Sequence, residues 1–125
     1  MATRASVAIQ TGDVVRAIYS HWDGYPEGLG TTLVTCWNNS DSVLRLIEMG
    51  DASFIADTLE ESVFYHRDRG EELRFHEFLS VDEWLEWARA SWAEYAYLWR
   101  EDLNEWETFK QGDDTRLKSV WAVMK

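Results

Sequence analysis

Two His-x-Asp triplets carry the clearest chemical potential in the chain: His21-Trp22-Asp23 and His66-Arg67-Asp68. Each falls where a run of β-forming residues gives out. Side chains two positions apart on extended backbone share a face, so each triplet is expected to present an imidazole and a carboxylate together. Neighbouring strand ends would bring four such groups into one place, a set suited to a transition metal or to general acid–base work. Arg67 and Arg69 stand beside the second triplet, and their forked donors fit a phosphate or a carboxylate. With the aromatic neighbours included, the candidate ligand-binding set is His21, Trp22, Asp23, Tyr25, Tyr65, His66, Arg67, Asp68 and Arg69. No residue is assigned a catalytic role, no metal ligand is assigned, and no cofactor is expected.

Simpler readings compete at each position. Asp23-Gly24 is a turn dipeptide, and Asp23 suits an Asx-turn or the start of the helix that follows. The run Arg67-Asp68-Arg69-Gly70-Glu71-Glu72 also reads as a solvated turn, and His76 as a surface strand residue. The glycines of HWDGYPEGLG (residues 21–30) lead into a helix, yet their spacing fits neither the P-loop nor the dinucleotide fingerprint. Cys36 falls within an amphipathic helical pattern and no Gly-x-Ser-x-Gly element exists, so nucleophilic hydrolysis has little support.

The elements that must position these residues read as follows. Residues 5–10 and 14–21 are β-branched runs around a glycine-centred turn, a hairpin that delivers the chain into residues 21–30. Pro26 opens a helix with Leu29, Leu33, Cys36 and Trp37 at helical spacing, and Ser40 caps a second one ending at Gly50. Residues 51–55 read as a short helical turn, residues 62–66 as a strand, and residues 73–78 as its possible partner. Ser80 to Glu83 is a capping box opening a helix to about Trp92, with Val81, Trp84, Leu85, Ala88 and Trp92 facing inward. Residues 94–110 read as a hairpin, and Asp113 or Asp114 caps a last helix bearing Leu117, Val120, Trp121 and Met124. The sum is a single α+β domain over residues 1–125: an antiparallel sheet of five to six strands, with three to four helices packed mainly on one face.

Composition narrows the partners. At 125 residues with one cysteine, the chain can build a core without disulfides or metal, and it reads as a protein of a reducing compartment. Its formal charge of −11 argues against nucleic acid as the main partner, since phosphate counterions are displaced by a basic face. No apolar run reaches signal-peptide or membrane-spanning length. Eight tryptophans exceed ordinary usage and leave a homo-oligomer seam open.

The run from Ala17 to Ile55, followed by YHRDRGEE (residues 65–72) and by EYAYLWRE with EWETF further on, resembles a family of small uncharacterised bacteriophage and prophage proteins. The recurrent elements of that family are His-Trp-Asp-Gly-Tyr-Pro and Tyr-x-Arg-Asp-Arg-Gly-Glu. The resemblance implies an accessory protein acting in the cytoplasm of a bacterial host, and it supports the hairpin over residues 94–110. The expected function is that of a non-enzymatic binder that modulates a host process or defence. It would engage a host protein through its acidic surface or hold a small nucleotide-like ligand. The alternative is a metal-dependent or acid–base enzyme acting on a phosphorylated small molecule through His21, Asp23, His66 and Asp68.

Overall fold

The computed structural model describes residues 2–112 and 117–120. The expected first hairpin forms from β1 (Ala5–Thr11) and β2 (Val14–Ser20), in the register Ala5 opposite Ser20 and Thr11 opposite Val14. Gly12 takes φ +60° in the two-residue connection, the left-handed geometry a glycine adopts at least cost. Six further strands follow: β3 (Ala52–Phe54), β4 (Val63–Phe64), β5 (His76–Phe78), β6 (Tyr95–Arg100), β7 (Glu105–Gln111) and β8 (Leu117–Val120). They assemble in the order β4-β3-β2-β1-β6-β7-β8, with β5 also paired to β2. One edge of β2 is therefore shared: Ser20 pairs with Ala52 near one end, and Val15 to Ala17 pair with Phe78 to His76 near the other.

The fold is α+β and its sheet is mostly antiparallel, with two parallel joins, β1 to β6 and β2 to β3. The first has a clear origin. The chain crosses the sheet through a helix before entering β6, the kind of connection that parallel neighbours require.

Helices cover the sheet unevenly. A π-type turn (Pro26–Gly30) runs into α1 (Thr31–Cys36), and α2 (Ser40–Glu48) follows. These pack on the face carrying Ala5, Val7, Ile9, Ile18, Tyr97 and Trp99, through Leu29, Leu33, Val43, Leu46 and Ile47. The opposite face carries Ala8, Val15, Ala17, Ala96, Leu98 and Phe109, and is covered by α4 (Val81–Ala90) through Trp84 and Ala88. The remaining helix, α3 (Tyr65–Arg69), continues directly from β4. Alternation along β1 and β6 thus feeds two apolar layers, as a sheet buried on both faces demands. Trp84 locks the second layer from within: its indole N–H donates to Ser6 Oγ, and Ser6 Oγ donates to the Ile18 carbonyl.

Several expectations need correction. Residues 51–55 are strand, because Ala52 and Ser53 carbonyls accept the His21 and Trp22 N–H groups at the end of β2. The strand expected over 62–66 ends at Phe64, so Tyr65–Arg69 is a short helix closed by Gly70 at φ +68°. β5 pairs with β2 and not with β4. Asn39, one residue before Ser40, caps α2 by accepting the Ser42 N–H. Ser80 does cap α4, accepting the Glu83 N–H, but Trp92 is exposed beyond the end of the helix. Leu117–Val120 is a strand hydrogen-bonded to β7, where a helix was expected. The capping role of Asp113 or Asp114, and the parts given to Trp121 and Met124, lie outside the described residues. Among the described residues no helix is long and apolar enough to cross a membrane.

Candidate functional site

The register of the first hairpin dictates what meets at its open end. Ala5 opposite Ser20 places Arg4 across from His21, on the face that also carries Ser6, Tyr19 and Ala17. The parallel join to β6 continues this row, since the Glu94 N–H donates to the Arg4 carbonyl. His21 Nδ1 lies 2.7 Å from the Tyr19 hydroxyl, its neighbour two residues back on the same face. Arg4 stands close enough to that hydroxyl to draw its pKa downward. A row of polar side chains therefore runs from Arg4 through Tyr19 to His21, and the Tyr19 contact engages Nδ1 of the ring.

The second half of the site arrives through β3 and α3. Trp22 N–H donates to the Ser53 carbonyl, and Arg69 of α3 reaches Ser53 Oγ at 3.4 Å. The Arg69 guanidinium also lies over the Tyr65 ring, 5.2 Å from its centroid. Arg4, His21 and Arg69 thus converge on one end of the sheet, and none of the three has a carboxylate within ion-pair distance among the described residues. Burial, reinforced by Arg4 and Arg69, holds the His21 pKa below its usual value. Burial raises the Tyr19 pKa, with Arg4 pulling it the other way.

Asp51 organises the junction between β3 and β5. Its carboxylate accepts the Tyr19 N–H at 2.9 Å and lies 3.3 Å from His76 Nε2. Its own N–H donates to the Arg74 carbonyl, and its carbonyl accepts the Tyr65 N–H. Where the shared edge of β2 passes from β5 to β3, this one side chain satisfies a strand N–H that no neighbouring backbone meets. His76 is half-buried against Trp87, at a ring separation of 4.4 Å, and so is more enclosed than a surface strand residue.

The remaining expected residues serve local structure. Asp23 takes φ +58°, and its carbonyl accepts the Leu29 N–H, closing the turn. A Cβ on Gly24 would lie 2.7 Å from the Thr3 carbonyl oxygen and from Ala5 Cβ, so only glycine fits. Gly24 also accepts from the buried Tyr97 hydroxyl at 2.7 Å. Trp22 packs edge-on against His21 and Tyr25 stays near the rim, both substantially exposed. Arg67 binds Asp68 and the Leu59 and Ser62 carbonyls, clamping the loop before β4. Asp68 accepts from Arg67 and from the Phe64 N–H, which together hold its carboxyl below the usual carboxylate range. His66 Nδ1 sits 2.8 Å from the Glu71 carbonyl oxygen.

His66 and Asp68 therefore do not share a face as a strand would have them, because both are on a helix and each is tied to its own segment. Among the described residues no group of three or more His, Cys, Asp or Glu side chains is placed to hold a metal. Cys36 is partly buried, and burial with nearby Asp57 pushes its thiol pKa up, which keeps it protonated and unreactive.

Arg4, Tyr19 and Asp51 are the site residues not anticipated from sequence. The first two were within reach of it. A hairpin turning at residues 12 and 13 pairs positions summing to 25, which sets Arg4 opposite His21 and puts Tyr19 on the same face. Compared with protein-family models, curated proteins and solved structures, the chain has no match.

Proposed function

We propose that the chain is a non-enzymatic binder of a small phosphate-bearing ligand, held by Arg4, His21 and Arg69 at the end of β2. The observation that carries this is the convergence of three nitrogen-bearing side chains, none with a carboxylate partner among the described residues, on a protein whose formal charge is −11. Arg16, Arg67 and Arg100 are instead paired with Glu77, Asp68 and Glu107, while Arg45 and Arg89 stand singly on helices, so what sets Arg4 and Arg69 apart is that they meet at one place. Guanidinium forks and an imidazole N–H match the acceptor geometry of a phosphate. Trp22, edge-on to His21, and Tyr65, under Arg69, flank the cluster and offer ring contacts to the rest of such a ligand.

The setting we propose follows the resemblance to phage and prophage proteins: an accessory protein that acts by occupancy in a bacterial host, sequestering its ligand or presenting it to a host partner. A catalytic use of the two His-x-Asp triplets has less support. Asp68 is spent on Arg67 and the Phe64 N–H, and His66 is tied to the Glu71 carbonyl on α3, so the second triplet offers no free acid–base pair.

Calorimetric titration with inorganic phosphate tests the reading. Arg4→Gln and Arg69→Gln should each weaken binding about tenfold, from ~1.5 kcal/mol per lost charge-assisted hydrogen bond. Wild-type protein that takes up no phosphate, or variants that bind as wild type does, would overturn it.

A further inference from the structure

A cavity of about 640 Å³ opens beside Arg4, lined by Ala2, Arg4, Trp92, Glu94, Tyr95 and Lys110. Its volume falls within the range of small-molecule sites, and Arg4 belongs both to it and to the phosphate-binding cluster. One wall is unusual. α4 ends in a Schellman motif, with the Ala93 N–H donating to the Ala88 carbonyl and the Trp92 N–H to the Arg89 carbonyl. The left-handed position of that motif, where glycine costs least, is filled by Trp92 at φ +70°. The same ring is 75% exposed. Folding gains little from this choice, since the left-handed backbone disfavours a bulky residue and most of the indole lies open to solvent.

From this geometry we infer that the cavity takes the planar base of a nucleoside monophosphate, stacked on Trp92, with its phosphate on Arg4, His21 and Arg69. The inference rests on the phosphate site proposed above and names the class of ligand that fills it. An exposed indole offers a face to any base, which accounts for a ring held where it contributes nothing to the core. The Glu94 carboxylate, exposed in the same cavity, accepts from ribose hydroxyls.

The test titrates AMP and inorganic phosphate, each alone, into wild-type protein and into Trp92→Gly. Glycine is the residue this left-handed position favours, so the variant should fold with a Tm at or above that of wild type. Wild type should bind AMP about tenfold or more tighter than phosphate, from base stacking. Trp92→Gly should lose that preference and keep its phosphate affinity. Equal affinity of wild type for AMP and phosphate, or a preference that survives in Trp92→Gly, overturns the base-stacking inference and leaves the phosphate site standing. Absence of phosphate binding in wild type refutes the phosphate site itself, and the stacking inference with it.

Discussion

At the scale of single residues, His21 shows how position converts an ordinary side chain into a sensor of its surroundings. Its partial burial and the two flanking arginines favour the neutral ring, so the folded protein binds a proton there less readily than the unfolded chain. A depressed pKa makes this contribution to stability complete above the ordinary histidine value of 6.5, and it is lost as pH falls below that value toward the folded pKa. The urea midpoint of wild type should therefore drop more steeply between pH 7 and pH 5 than that of His21→Gln. Parallel pH profiles would show that His21 is not held neutral by its neighbours. The sequence singled out His21 and Arg69, and the fold brings both to this end of the sheet. It gave no sign that Arg67 is committed to two carbonyls and a carboxylate, because those partners are assembled only when the segment from Leu59 to Ser62 folds back on α3.

At the scale of elements, residues 21–30 are a connector whose glycines are fixed by close approach. Gly24 passes so near β1 that a methyl group has no room, and its carbonyl anchors Tyr97 of the central strand β6. Gly24→Ala should cost ~1–3 kcal/mol by forcing this overpacked contact, as read by chemical denaturation. A loss below ~0.5 kcal/mol would mean that the connector floats free of the sheet. Hairpins closed by local turns were legible: Gly12 marked the first, and alternation from Tyr95 to Trp99 marked the strand that opens the second. Elements decided at long range were not. Ala52–Phe54 is strand because β2 offers its end, and Tyr65–Arg69 is helix because Asp68 caps backward onto Phe64 and Gly70 ends the turn. Leu117–Val120 has helical spacing of its apolar residues, yet the open edge of β7 takes it as a strand.

At the scale of the molecule, two apolar layers enclose one mixed sheet. Most of the tryptophan surplus goes into them: Trp84 fills one layer, while Trp37 and Trp99, joined by Trp106, fill the other. Among the described residues, Trp22 and Trp92 are the tryptophans that the layers leave most exposed, Trp22 against His21 and Trp92 beside Arg4. On a chain of formal charge −11, Arg4 and Arg69 make this end of the sheet cationic, and it is this end that we propose holds phosphate. The most direct measurement is a phosphate titration of ¹⁵N-labelled protein followed by amide chemical shifts. Saturable shifts should concentrate at Arg4, at Tyr19 to Trp22 and at Arg69. Saturable shifts confined to other surfaces, or none at any phosphate concentration, would contradict it.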